Sequence, residues 1–440
     1  MIALRAVLQL IFALHVASRA LPAAEAGIVE PLSFPVIQKK TIRPLGKRDN
    51  TVSLENVSTL TYLIRLQIGT PPQPVEIILD TGSFELWVDP TCSTAATKDQ
   101  SLECSLAGTY NPELSLTYVD KNVSSKMTYG KGGVEFQYAA DSILVPGSNS
   151  QVLQNVVFGI GQKSTDLAWG IGGIGHGIGF NTRYNNLIDE LYVQGITQSR
   201  AFSISLGSQF DDNAGTVVFG GVDTRKFSGH LHRFDNLPPQ PEGKRDGPWR
   251  YWIQVDSVGL TKPGEVPYTF ANSSMPALLD TGSTWTYLPA AIVDKLTTDL
   301  NATKWDDGSY EVPCSLKSHP GFVDFAFHNL TIHVPYAEFI TEFEGNYCAL
   351  GVLPRDEQTA ILGDSFLRSA YVVFDQTNQD LYLARSAHCG TNKQSLSSEL
   401  GAASKFIGEC SPADGYPTPV PTGLVVAPFA LVCWIIGLLL

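Results

Sequence analysis

The longest apolar stretches of the chain stand at its two ends: Val7 to Val16 is largely apolar, and Leu424 to Leu440 is apolar throughout. Between them hydrophobic residues come in short groups broken by turn formers, and 39 Gly, 27 Pro and 16 Tyr predict many short strands rather than a helical bundle. Two groups repeat one pattern. Ile77-Ile-Leu-Asp80-Thr-Gly-Ser83 and Ala277-Leu-Leu-Asp280-Thr-Gly-Ser283, 200 residues apart, each read as an apolar strand that ends in an acid and a tight glycine turn. Each is followed by an apolar, Gly-bearing segment, Trp169-Gly-Ile-Gly-Gly-Ile-Gly175 after the first and Thr359-Ala-Ile-Leu-Gly-Asp364 after the second. Asp80 to Gly173 is 93 residues and Asp280 to Gly363 is 83. The many short strands predict an all-β fold, mainly strands with short helices, and a two-part unit present twice predicts two similar lobes related by an approximate two-fold axis. Each lobe contributes one aspartate.

Two carboxylates held a few ångströms apart do not both ionise readily, so they share a proton. One takes a proton from a water while the other donates to a carbonyl oxygen, which is general acid/base hydrolysis without a metal or a covalent intermediate. Gly82 and Gly282 let the chain turn sharply so that backbone N–H groups reach the carboxylates. Thr81 and Thr281 are placed to lock the two loops together, and Ser83 and Ser283 to bond the outer carboxylate oxygens. A single Asp-Thr-Gly often marks nothing more than an acid capping a turn. Two copies with matched downstream glycines are hard to account for in that way.

Asp80-Thr-Gly-Ser-Phe-Glu-Leu-Trp-Val88, Asp280-Thr-Gly-Ser-Thr-Trp-Thr-Tyr-Leu288, the two Gly-bearing segments and Phe366-Leu-Arg-Ser-Ala-Tyr-Val-Val-Phe-Asp375 resemble the pepsin family of aspartic endopeptidases over Leu63 to Arg385. The resemblance implies a bilobal pepsin-like fold, two β-barrel-like lobes with the active cleft between them. It also implies a monomer that cuts polypeptides with Asp80 and Asp280 and needs no cofactor or metal. Thr128-Tyr129-Gly130-Lys131-Gly132 fits the family's flap, with Trp87 as the indole that bonds Tyr129; Ile78, Gly130 and Lys131 join them as substrate-binding residues. Asp80 to Tyr129 is 49 residues, longer than usual, and Ala95 to Ser101 reads as the inserted loop. Lys131 is unusual at its position. A catalytically silent, peptide- or glycan-binding member would have lost an aspartate or a motif glycine, and neither is lost here.

Composition narrows the partners. Of the 440 residues 43% are hydrophobic and 17% charged, with 43 acidic against 30 basic, a net charge of −13 that repels nucleic acid. Mean hydropathy is +0.02, and the length suits two or three domains. No phosphate loop, Ser/His/Asp order or zinc helix is present, and His176 reads as a loop residue rather than a base.

The two ends read as processing signals. Arg5, the apolar run and the small residues Ser18 and Ala20 make residues 1–20 a secretory signal, with cleavage after Ala20 or, alternatively, Ala26. Residues 21–48 carry five basic residues, Lys39, Lys40, Arg43, Lys47 and Arg48, against Glu25 and Glu30. They read as a pro-peptide that covers an acidic cleft through ion pairs, catalytic carboxylates included, and is cut after Arg48 by a furin/kexin-type protease. A disordered basic arm is the competing reading. Residues 49–224 and 225–389 form the lobes, with a second dibasic pair, Lys244-Arg245, in a Pro- and Gly-rich loop. Residues 390–413 read as a Ser/Gly/Ala-rich stalk, and 414–440 as a removable signal for a GPI anchor attached at Ala413, with the protein at the plasma membrane or cell wall. A tail-anchored helix, and a vacuolar or freely secreted protease, are the alternatives.

Of seven cysteines, Cys433 falls in the tail. Nearness in sequence pairs Cys92 with Cys104 and Cys314 with Cys348, leaving Cys389 for Cys410. Asn56, Asn122, Asn272, Asn301 and Asn329 head glycosylation sequons. Together these features resemble the GPI-anchored, yapsin-like fungal branch. That branch favours basic residues near the scissile bond, which acidic subsites would serve and Lys131 would oppose.

Overall fold

The computed structural model describes residues 31–39, 61–144, 151–210, 215–240, 247–306, 308–343 and 347–411. The signal segment, Lys47-Arg48, Asn56, Lys244-Arg245, Ala413 and the apolar tail lie outside them. Strands dominate, and the helices are short, the longest described being Ala290–Asp299.

The first half builds an eight-stranded sheet in the order Ile37–Lys39, Thr61–Ile68, Gln73–Asp80, Gly170–Gly173, Leu86–Val88, Val152–Thr165, Gly133–Leu144, Val119–Thr128. Gln67 and Ile68 also pair with Leu144 and Ile143, so the sheet curls back on itself like a barrel. Its inward residues, among them Ile64, Leu66, Ile77, Leu79 and Phe158, are buried in the main core. The second half repeats the central part of this pattern. Met275–Leu279 lies parallel to Ala360–Leu362, which in turn pairs antiparallel with Thr286–Pro289. In the first lobe Gln73–Asp80, Gly170–Gly173 and Leu86–Val88 are joined in the same way. In both lobes the Gly-bearing segment is thus threaded between the strand that ends in the aspartate and the next strand of the chain.

A seven-stranded sheet joins the halves in the order Leu32–Pro35, Thr216–Phe219, Ala201–Ser205, Ala370–Asp375, Asp380–Ser386, Phe227–Asp235, Ile407–Glu409. Ala201–Ser205 and Ala370–Asp375 are buried along their whole length; the second is apolar up to its last residue, while the first carries the buried Ser203, whose hydroxyl donates to the Gly221 carbonyl at 2.9 Å. Phe202 stacks on Phe374 at 4.8 Å, and Tyr251 meets Phe374 at 4.6 Å. The Tyr251 hydroxyl then donates to the carbonyl of Ile174 at 2.7 Å, beside the first lobe's Gly-bearing strand.

Three sequence expectations need correction. Residues 391–410 are not a stalk. Lys393–Ser395 pairs with Gly221–Asp223, and Ile407–Glu409 with Phe227–Asp235. Leu396, Ala402 and Ala403 are buried with Val222, Phe227, Tyr371 and Tyr382. Glu409 accepts from Arg225 at 2.8 Å and from Thr224 at 2.6 Å. A few small apolar residues in a polar stretch are enough to seat it on the sheet. Nor is Ala95 to Ser101 a plain loop, because Thr97 caps the helix Lys98–Leu106 by accepting from the Gln100 N–H at 3.2 Å. Finally, the described part of the 21–48 segment, residues 31–39, lies within the sheets as two strands, and Lys39, whose basic companions lie outside the described residues, pairs at 2.5 Å with Glu76 rather than with Asp80 or Asp280.

The disulfides are Cys92–Cys104, Cys314–Cys348 and Cys389–Cys410. Asn122, Asn272, Asn301 and Asn329 are exposed, the first three with positive φ, a left-handed conformation that asparagine tolerates well, Asn272 and Asn301 on turns and Asn122 at the irregularity of its strand.

Candidate active site

Asp80 and Asp280 end equivalent strands and meet across the lobe boundary. The backbone N–H of Gly82 donates to Asp80 Oδ1 at 2.8 Å, and that of Gly282 to Asp280 Oδ1 at 2.9 Å. The Ser83 hydroxyl donates to Asp80 Oδ2, and the Ser283 hydroxyl to Asp280 Oδ2 at 2.8 Å. Behind them the threonines interlock. Thr81 N–H donates to Thr281 Oγ1 at 3.1 Å and Thr281 N–H to Thr81 Oγ1 at 3.0 Å. Each hydroxyl then donates into the opposite lobe, Thr81 to the Leu279 carbonyl at 2.8 Å and Thr281 to the Leu79 carbonyl at 2.6 Å. Both threonines are buried, so four satisfied bonds fix the spacing of the loops.

Close approach explains the glycines. A Cβ on Gly82 would overlap the Asp280 carboxylate, and one on Gly282 would come within 2.5 Å of Asp80 Oδ1. Gly173 is equally constrained, since a Cβ there would stand 2.6 Å from the Glu85 nitrogen. Burial, and next the nearby Asp280, push the Asp80 carboxyl up to about 7, against the bonds from Ser83 and Gly82. The pair therefore keeps a proton through the acidic and near-neutral range.

In the same sheet as the Asp80 strand lies the hairpin of Val119–Thr128 and Gly133–Leu144, whose turn is closed by Tyr129 N–H donating to the Gly132 carbonyl at 3.1 Å. Gly132 has φ +72°, a conformation that favours glycine. The Trp87 indole donates to the Tyr129 hydroxyl at 2.7 Å. Ile78 and Tyr129 both pack against the cluster of Trp87, Val134, Phe136, Leu167 and Ile171. Gly130 is exposed at the tip, and Lys131 is half-buried beside it. His176 is buried in a loop among Phe180, Trp249 and Tyr251, and burial lowers its pKa to about 4. Beside the hairpin lies a buried acid that the sequence reading did not single out, Glu85, which accepts from the Tyr138 hydroxyl at 2.8 Å and from that of Tyr184.

Comparison with known proteins agrees with this geometry. The sequence profile of the eukaryotic aspartyl proteases matches residues 61–386. The chain belongs to that family. It is 33% identical over 391 residues to the "Probable aspartic-type endopeptidase opsB" of Aspergillus fumigatus, covering 84% of this chain and 77% of the relative. Yapsin-3 of Saccharomyces cerevisiae is 29% identical, covering 76% of this chain and 68% of yapsin-3, and barrierpepsin of the same yeast is 30% identical, covering 76% and 61%. The aspartyl protease described here is thus an aspartic-type endopeptidase with relatives in the yapsin-like fungal branch.

Proposed function

We propose that this endopeptidase cuts peptide bonds by placing a water between Asp80 and Asp280, which hold one proton between them. The ionised carboxylate takes a proton from the water as its oxygen attacks the scissile carbonyl carbon. The protonated partner gives its proton to the carbonyl oxygen, leaving a neutral tetrahedral diol. The first aspartate, now protonated, then donates to the departing amine while the second recovers the hydroxyl proton, so the pair ends as it began. The observation that carries this reading is the interlocked pair itself, two carboxylates with matched N–H and hydroxyl donors from both lobes. Tyr129 on its hairpin, held by Trp87, acts as the flap that closes on bound peptide.

The chain is made as a secreted zymogen. This is supported by the basic segment ahead of Lys47-Arg48 and by the strands Leu32–Pro35 and Ile37–Lys39, which pair with Thr216–Phe219 and Thr61–Ile68 on the protease body. Processing after Arg48 by a furin/kexin-type protease frees the new N-terminus. The mature enzyme is a monomer held at the cell surface by a GPI anchor at Ala413, a reading supported by the small residues, Pro-rich spacer and charge-free tail of residues 412–440. No helix of the described residues is long and apolar enough to cross a membrane. Replacing Lys47 and Arg48 together with alanine tests activation: a longer, latent precursor is expected, and full neutral-pH activity with the segment still attached refutes it. Release from membranes by phosphatidylinositol-specific phospholipase C tests the anchor.

A further inference from the structure

Ser83, Glu85 and Trp87 stand at alternate positions after the first aspartate, and each makes a different attachment. Ser83 bonds Asp80, and Trp87 bonds the flap tyrosine Tyr129. Glu85, between them, is 5% exposed and has one oxygen on the hydroxyl of Tyr138 and the other on that of Tyr184. Tyr138 belongs to the flap strand Gly133–Leu144, and Tyr184 to the loop ahead of the helix Leu187–Val193. Their rings touch, with centroids 5.6 Å apart, and Tyr138 also meets Phe136 at 5.0 Å. The backbone under Glu85 is pinned as well, since its carbonyl accepts from the Gly173 N–H at 2.9 Å and the Ser83 carbonyl from the Gly175 N–H at 2.8 Å.

A carboxylate with two phenol donors is satisfied on both oxygens, but it has been taken out of water with no cation beside it among the described residues, and that costs stability. A hydrocarbon at this position would fill the space more cheaply. We propose that Glu85 is a positioning residue that fastens the flap hairpin to the Asp80 loop, so that Tyr129 closes over the cleft in register with the reacting carboxylates. It touches neither substrate nor the aspartate pair and acts through Tyr138, Tyr184 and the adjacent Trp87. Burial raises its carboxyl pKa, against the two phenols that donate to it. Burial first, and then the nearby charge of Asp80 and, more weakly, of Glu85, raises the pKa of the Tyr129 hydroxyl.

The test is peptide hydrolysis by full-length enzyme whose active sites are counted with a transition-state-analogue inhibitor, so that misfolded protein does not enter the rate. Glu85→Ala should lower kcat/KM about tenfold, a loss of the size expected when a binding element is misplaced by a fraction of an ångström. Glu85→Gln, which keeps the shape, one acceptor oxygen and a donor for the second phenol, should restore it to within about threefold. Combined with Trp87→Phe, Glu85→Ala should lose less than the product of the two separate losses, because both act on one docked flap. If Glu85→Ala is not recovered folded, Tyr184→Phe, which removes one hydroxyl and keeps the ring, should cost about threefold in the same assay. A counted Glu85→Ala enzyme, or in its absence Tyr184→Phe, with unchanged kcat/KM and only a lower Tm makes the clamp purely structural and overturns the proposal. Fully multiplicative losses with Trp87→Phe overturn it too. The wild type's own activity, measured alongside, keeps this outcome separate from any failure of the endopeptidase reading.

Discussion

Asp80 and Asp280 receive the same bonds, yet the residues just downstream of each serve different ends. After Asp80, Glu85 and Trp87 reach polar partners on the flap hairpin and beside it. After Asp280, the matching positions are Trp285 and Tyr287, and Trp285 is buried with Tyr347 and Ala349, its ring stacked near Phe343. The aspartates differ too, since Asp80 is 5% exposed and Asp280 is half-buried. Duplication has kept the parts that let two carboxylates meet, namely the Thr grip, the Gly turns and the Ser bonds. The neighbours differ, those of one lobe bonding the Tyr129 hairpin and those of the other packing their own core.

The largest effect should come from the shared part. Asp80→Asn and Asp280→Asn should each abolish peptide hydrolysis, by about a thousandfold or more in kcat, because the carboxylates act as one unit and removing either removes the shared proton. Secretion and fold should survive. If correctly folded Asp280→Asn retains more than about a tenth of wild-type turnover, the lobes are not chemical equals.

Next come the turn glycines. Gly82→Ala puts a methyl into Asp280, and Gly282→Ala puts one against Asp80. Each should cost about a hundredfold in kcat by spreading the pair, and the two costs should match within a few fold. A large difference between them would mean that one loop yields where the other does not.

How much of this could be read from the chain depends on how local the signal is. The aspartate loops were legible because the chemistry demands Asp-Thr-Gly twice, and the threaded segments because backbone passing between two strands demands glycine, as Gly173 and Gly363 show. The hairpin that carries Tyr129, and its bond from Trp87, were expected through resemblance alone. Glu85 was not, since its partners lie 53 and 99 residues away and a lone acid between apolar neighbours carries no pattern. The helix Lys98–Leu106 hid because its Leu102 and Leu106 are exposed, at 60% and 70%, and leave no apolar stripe. Residues 391–410 hid for a related reason, their strands being three residues long and their burial resting on Leu396, Ala402 and Ala403 among polar neighbours.

Acidity should separate the lobes further. Asp80 is raised to about 7 and Asp89 to about 6, both first by burial, so the folded protein holds protons that the unfolded chain releases near pH 4. The linkage runs one way: where the native state binds more protons, stability falls as pH rises. These groups cost nothing below about pH 4, and their penalty grows between about pH 4 and 7, to a few kcal/mol in all. Chemical denaturation monitored across this range should show that decline. Asp80→Asn should flatten it most, while Asp280→Asn should relieve only the smaller, electrostatic share, because burial leads the shift at Asp80. Equal flattening by both would assign the shift to mutual repulsion instead.

The smallest effect belongs to the grip, where the lobes are most alike. Thr81→Ala removes one acceptor and one donor, leaving the Thr281 N–H and the Leu279 carbonyl unsatisfied; Thr281→Ala does the same to Thr81 and Leu79. Each should lower stability by about 1–3 kcal/mol in urea unfolding, the cost of two net bonds and the desolvated groups left behind. The two variants remove different pairs of bonds from one grip, and once either pair is gone the loops can shift and weaken the other, so the double variant should cost less than the sum. Serine at either position keeps the hydroxyl and gives up only a methyl, so Thr81→Ser and Thr281→Ser should stay within about 1 kcal/mol of the parent. Should Thr81→Ser fall as far as Thr81→Ala while Thr281→Ser does not, the methyl packing of the first lobe, and not the hydrogen bonds, sets how the two loops meet.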